Sequence, residues 1–413
     1  INIPLPAQAK EEESTIHIMK KTEPIVPMSL PDLTDAERNA VLAVLQTPHL
    51  SMGPRIAAFE AAIAGYVGAK EAIGVNSGTA GLHLCVRAAG IQPGELVLTT
   101  PFSFVASTNV ILFEGGIPVY VDVDPMTGNM DSLLAAQALE DLQKGGAAAR
   151  RWLPRKGAEN ASNCKAMLPV DVFGQPADYD RLRLLSEKYH LKLIEDACES
   201  LGAEFKSTRL GLMGDYGVFA FYPNKQMTTG EGGIIVTDDL DAARFMRALR
   251  NQGRAPGDTW LQHTHLGYNY RMDEMSAALG LAQFHRLEEL LNKLQQVADW
   301  YANRLVNIEG VQVPFIAPTT TRVSWFVYVI RVAPGLDRDT IAERLHLNGI
   351  PVRPYFLPIH LQPYMVDKFA YQPGDYPVTE DLGRRGLALP FSSLMTEEQV
   401  DLVCRVLTQC IAD

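Results

Sequence analysis

The sequence is short of four things, and each shortage excludes something. No apolar run reaches the roughly 18 residues that a membrane-crossing helix needs, so a spanning protein is not expected. Cysteine is scarce: Cys85, Cys164, Cys198, Cys404 and Cys410 are odd in number and show no CxxC spacing. That fits a reducing compartment better than a disulfide framework or a zinc site, and no metal is expected. Positive charge is outnumbered, 37 Lys and Arg against 48 Asp and Glu, for a net charge of −11. So acidic a surface repels phosphate backbones and anionic lipid, so neither nucleic acid nor a membrane is an expected partner. The first residues, INIPLPAQAKEEEST, lack a basic start followed by an apolar stretch. No secretory signal is therefore expected, and the cytoplasm is the default location.

What is present is the material for a large core. Apolar residues make up 47% of the 413 and charged residues 21%, an ordinary globular balance that excludes disorder and collagen. At about 150 residues per domain the length suggests two domains. Between residues 70 and 240 short apolar runs alternate with helical patterns. The strand candidates are EAIGVN (71–76), ELVLTT (95–100), PVYVDV (118–123), MLPVDVF (167–173), LKLIEDA (191–197), VFAFYP (218–223) and GIIVTD (233–238). Most are too continuously apolar to be half-exposed, which is how strands buried on both faces read. The alternation predicts an α/β fold, a mainly parallel sheet with helices on both faces, with ligands gathering at the carboxyl ends of the strands.

After residue 270 the texture changes. Residues 271–308 contain no Pro and only Gly280, with apolar residues at helical spacing, and read as one long helix leading into a second domain. The expected organisation is an N-terminal arm (1–30), a large cofactor-binding α/β domain (31–270) and a small C-terminal α+β domain (271–413). Within the large domain, residues 143–165 carry Lys144, Arg150, Arg151, Arg155, Lys156 and Lys165 against Glu159 alone. This insertion reads as a solvated, mobile surface segment or, more sharply, as a flap that attracts an anionic substrate.

Three segments carry chemistry. NSGTAGLH (76–83) follows a strand and opens a helix, so Gly78 and Thr79 can offer free amides and a hydroxyl to a phosphate; a plain capped turn would look similar. IEDACES (194–200) sets Glu195 and Asp196 at the end of an apolar strand, where a carboxylate needs a cationic partner or a task, unless Asp196 merely caps a helix. FAFYPNKQMTTGEGG (219–233) places Lys225 after a strand end and before a tight Gly-rich turn. A lysine desolvated there becomes nucleophilic toward a carbonyl. A phosphate-binding helix start, a strand-end Asp and then a strand-end Lys together meet the needs of pyridoxal phosphate. The lysine forms its Schiff base, the Asp keeps its pyridine nitrogen protonated, and the helix holds its phosphate.

In order and spacing, the motifs resemble the DegT/DnrJ/EryC1/StrS sugar aminotransferases, a family of fold-type-I pyridoxal-phosphate enzymes. The resemblance runs from about Ile25 to the C-terminus through GVNSGTAGLHL, TTPFSFVAST, PVDVFGQPADYD, IEDACESLGAEF, FYPNKQMTTGEGG, LGYNYRMDEMSAALGLAQ and RPYFLPIHLQPYM. It implies a fold-type-I aminotransferase-like architecture and roles by position. Lys225 matches the Schiff-base lysine that also shuttles the proton, and Asp196 the pyridine-nitrogen partner. Glu199 falls where the family usually has Gln or His beside the cofactor. Phe104 matches the aromatic against the ring, and Gly78 and Thr79 the phosphate turn. Asn269 resembles the residue that a neighbouring subunit donates to the phosphate, so a homodimer is implied. Tyr355 and His360 lie in a loop that relatives bring near the substrate.

Three departures stand out. Ala220 occupies the position of a phosphate-binding Ser, Asp171 that of a frequent His, and the 143–165 insertion is longer than usual. His83, on an apolar helix face, reads as a packed core histidine, and His263 and His265 carry no assigned role. The implied reaction is amino transfer from an amino acid, most often glutamate, to a nucleotide-linked keto sugar. The rivals are a sugar dehydrase of the same fold, in which His usually replaces the lysine, a dehydrating synthase of aromatic amino acids, and a non-catalytic regulator.

Overall fold

The computed structural model describes residues 24–255 and 257–412; the expected arm therefore lies mostly outside the described residues. The large unit is built on a seven-stranded sheet. Its spatial order is Glu71–Val75, Gly233–Thr237, Tyr216–Ala220, Lys192–Asp196, Cys164–Met167, Leu96–Thr99 and Ile117–Tyr120. Only Gly233–Thr237 runs against the others. Alternate residues feed opposite cores, as the two-residue period of a strand requires. Val97 joins one apolar cluster with Leu82, Val86 and Met246, while Leu96 and Leu98 join another with Ala135, Leu139 and Leu182. Helices thus cover both faces, and the continuous apolar strands are explained.

One expected strand is shifted. Pairing occupies Cys164–Met167 rather than 167–173. Pro169 brings no N–H to the ladder, Val170 keeps a single bridge to Asp196, and the chain then bends through Asp171. Phe173 and Gly174 take positive φ of 57° and 84°, so the backbone turns here instead of continuing as a strand.

The small unit holds a four-stranded antiparallel sheet in the order Val311–Gln312, Tyr328–Val332, Gly386–Leu389 and Arg353–Pro354. Helices Arg338–Leu347 and Glu397–Ala412 close its core, which also takes in Val26. The expected single helix over 271–308 is two, Glu274–Phe284 and Leu287–Leu305. At the break the Gln283 amide donates to Asp32 O and Glu37 Oε1, and the Arg286 guanidinium pairs with Asp32 and Glu37. These polar ties interrupt a helix whose apolar spacing alone would run on. The first helix packs on Phe59 and Ile63 of the large unit. The second crosses from that cluster at Leu291 to the small-unit core at Leu294.

The basic insertion is tied to the fold rather than loose. Arg155 pairs with Asp375, Lys156 Nζ donates to Asp367 O at 3.1 Å, and Trp152 Nε1 donates to Asp141 at 3.0 Å. Arg155 and Lys156 are thus tied to the 367–375 segment, while Lys144 and Arg151 meet Asp141 and Lys165 meets Glu95. Among the described residues no helix is long and apolar enough to cross a membrane.

Candidate active site

The carboxyl ends of the central strands open into a cleft of about 470 Å³. One end is the start of helix Gly78–Ala88, capped by Ser77, whose Oγ accepts from Ala80 N at 3.0 Å. The first-turn amides have no helical acceptor and carry the positive end of the helix dipole. Glycine is required here by close approach: a Cβ on Gly78 would stand 2.8 Å from Ala220 Cβ, and one on Gly233 2.6 Å from Ser77 O. The Gly-rich turn after the lysine is therefore pressed against the helix start.

Asp196 ends its strand at the cleft floor and is 3% exposed. Its Oδ2 accepts from Ser107 Oγ at 2.7 Å and its Oδ1 from Cys198 N at 3.2 Å. Burial pushes its carboxyl upward, while the hydrogen bonds and the nearby Lys225 pull it down. Glu199 is also buried; its Oε2 accepts from Phe173 N at 2.9 Å and its Oε1 lies 3.6 Å from Lys225 Nζ. Burial raises its carboxyl, and the charge of Lys225 opposes that rise. Lys225 itself sits in a turn closed by its N–H on Tyr222 O at 2.9 Å, and its amine lies 4.1 Å from the centre of the Phe326 ring.

Seven residues singled out in the sequence line this one cleft: Gly78, Thr79, Phe104, Asp196, Glu199, Lys225 and Tyr355. Phe104, though apolar, is 64% exposed at the opening. Burial raises the Tyr355 phenol. Two expected residues stand elsewhere. Asn269 is exposed and does not line its own chain's cleft; its carbonyl accepts from Asn76 Nδ2 at 3.3 Å, just before the helix start. His360 is wholly buried, 3.0 Å from Glu380 and 4.8 Å between ring centres from Tyr376. Its turn is pinned by Ile359 N on Pro101 O, which directs the ring into the core rather than toward substrate, and burial lowers its pKa. Asp171 likewise lies behind the cleft, accepting from Ala177 N, Tyr179 Oη and Ser200 Oγ.

His83 is buried between Glu114 and Tyr270 in an aromatic cluster, a packed histidine as read. His263 bonds Gln252 O and His265 packs on Phe245. The sequence reading missed Ser77, Ser107, Asn224 and Phe326 among the lining residues. Ser77 is legible as a helix cap and Asn224 as the lysine's neighbour. Phe326 had no local signal, because only the return of the small unit brings it to the lysine.

The comparisons decide what this arrangement belongs to. Residues 31–408 match the DegT/DnrJ/EryC1/StrS aminotransferase family. The chain belongs to that family. Its fold is that of these aminotransferases, and it is an aminotransferase. It is 37% identical over 393 residues to a GDP-perosamine synthase of Caulobacter vibrioides, covering 94% of this chain and 99% of that one. It is 32% identical to a UDP-N-acetyl-3-dehydro-alpha-D-glucosamine 3-aminotransferase of Acidithiobacillus ferrooxidans, over 92% and 95% of the two chains. Among solved structures, a family aminotransferase from Brucella abortus superposes with a TM-score of 0.82 at 29% identity, over 92% and 96% of the chains.

Proposed function

We propose that this aminotransferase carries an amino group from an amino acid, L-glutamate being the expected donor, to a nucleotide-linked keto sugar, with pyridoxal phosphate held at Lys225. The observation that carries this reading is the meeting, in one cleft, of a lysine amine, a buried strand-end carboxylate and a helix N-terminus. The donor set suits the cofactor. Asp196, buried and facing the cleft, would hold a pyridine nitrogen protonated. The Gly78–Thr79 turn would take the phosphate, and Phe104 offers a ring face. Ala220 supplies no hydroxyl, so more of the phosphate binding falls on Thr79, on backbone amides and, in a homodimer, on Asn269 of a second copy.

When bound, pyridoxal phosphate supplies an aldehyde carbon that amines capture and a protonated ring that accepts electrons. Lys225 would hold the group through that carbon and release it to the donor. Its freed amine would then take the proton from the donor's α-carbon and later give one to the sugar carbon that gains nitrogen. Glu199, held by Phe173 N–H, balances the charge of the amine while it waits. Phe326 and Phe356 wall the cleft with apolar surface and keep water from that proton. The two relatives named above carry GDP- and UDP-linked sugars in their names, which supports a nucleotide-linked acceptor.

Incubating the holoenzyme with nitrogen-labelled glutamate and a panel of nucleotide-linked keto sugars tests this. Labelled amino sugar is the expected product. Loss of a sugar hydroxyl without label would mean dehydration and overturn the reading.

A further inference from the structure

One buried side chain beside the lysine has no task in the chemistry above. Gln226 follows Lys225 directly and is 4% exposed. Its Nε2 donates to Glu199 O at 2.6 Å and to Ser324 O at 2.9 Å. These carbonyls come from distant parts of the chain. Glu199 belongs to the turn that follows Asp196. Ser324 leads into Phe326, whose ring faces the Lys225 amine.

Ser324 has little freedom to move. Its N–H donates to Gly174 O at 3.0 Å, its hydroxyl donates to Leu201 O, and a Cβ on Gly174 would stand 1.8 Å from Ser324 O. Gly174 in turn follows Phe173, whose N–H holds Glu199 Oε2. A closed circuit therefore runs from Lys225 through Gln226, Ser324, Gly174, Phe173 and Glu199, and back to the amine at 3.6 Å. That last gap is an ion pair longer than a close hydrogen bond. The covalent and hydrogen-bonded remainder of the circuit limits how its two ends can move.

We propose that Gln226 is a positioning residue for Lys225, its amide fixing the lysine turn at once to the Glu199 turn and to the strand that carries Phe326. The inference rests on the reading of Lys225 as the catalytic amine. A long flexible side chain reaches a reacting carbon often enough only if its root is fixed, because a small misplacement of a reacting group is costly in rate. Gln226 fixes the root and leaves the amine free to turn. The groups facing the Lys225–Glu199 pair are Asp196, Cys198 and Tyr355, and neither of the Gln226 amide's hydrogen bonds goes to any of them.

The test uses holoenzyme, with Q226M keeping the shape and removing both donors. Three readings are taken: borohydride labelling at Lys225, the rate at which glutamate alone bleaches the bound cofactor's yellow absorbance, and the pH midpoint of that absorbance. Q226M should label at Lys225 as fully as the unaltered protein, with the glutamate KM unchanged and the bleaching rate down about tenfold. Its midpoint should fall by about half a unit, because the amine is no longer held beside the Glu199 carboxylate. Full labelling with rate and midpoint unmoved would overturn the proposal, and so would a slower rate with an unmoved midpoint, which marks a mere structural stitch. Absence of label in the unaltered protein would instead overturn the Lys225 reading, and this inference with it. If Q226M does not fold, Q226N, whose shorter amide cannot span both carbonyls, is judged by the same two criteria.

Discussion

Glu195 and Asp196 are adjacent on one strand, yet they serve different parts of the molecule. Successive strand side chains point to opposite faces. Glu195 therefore turns away from the cleft, where its two oxygens accept from Gly211 N at 2.6 Å and Met213 N at 2.8 Å. Asp171 sits in the same rear layer, tied to one backbone N–H and two hydroxyls. Asp196 and Glu199 face forward, toward Lys225. All four are buried and bonded to the fold, but the rear pair stays outside the cleft, while the front pair lines it. Burial alone does not mark a functional carboxylate; what decides here is whether the carboxylate also lines the cleft.

Substitutions can break this contrast, and the largest effect belongs to the front. Lys225→Ala should lower amino transfer by about four orders of magnitude, since it removes both the capturing amine and the proton carrier. Its circular dichroism should match that of the unaltered protein. Next, Asp196→Asn should lower kcat about a hundredfold, because an amide cannot keep a ring nitrogen charged. Its thermal midpoint should hold or rise, as a buried charge is gone. At the rear the pattern reverses. Glu195→Ala strands two buried amides and should cost about 3 kcal/mol in urea unfolding, with kcat per folded molecule within about twofold of the original.

The smallest effect is a pH dependence. Burial pushes the Glu195 carboxyl up to about 7, and burial together with the charge of Glu195 raises Asp171. Both hold protons more tightly folded than unfolded, so folding takes up protons here. The stabilisation is complete below the ordinary carboxylate range and is lost as pH rises through about 7. The urea midpoint should therefore decline between about pH 5 and pH 8, and Glu195→Gln should flatten that decline. An equal slope in the variant would place the titration elsewhere.

Much of this was legible in the sequence because it is written in local pattern. Continuous apolar runs marked the buried strands, and the Gly-rich turn at Gly233 marked where backbone must approach backbone. Lys225, Asp196 and Gly78 sit at strand ends or helix starts, positions that alternation alone locates. What could not be read depends on contacts far apart in the chain. His360 looked like a substrate-loop residue because nothing in PIHLQP reveals that Ile359 is pinned to Pro101. The break before Leu287 depends on Asp32 and Glu37, some 250 residues earlier, and apolar spacing carries no trace of them. The basic insertion read as mobile because its acidic partner Asp375 lies in another segment altogether. Phe326 reaches the lysine by the same kind of long return.

On this reading the front of the cleft, with Lys225 in it, would hold the cofactor. Borohydride reduction of the holoenzyme, followed by peptide mass mapping, tests it most directly. A single reduced pyridoxyl adduct on Lys225 is expected, and it should disappear when glutamate is added before the reductant. An adduct on another lysine, or none on a yellow protein, would contradict it.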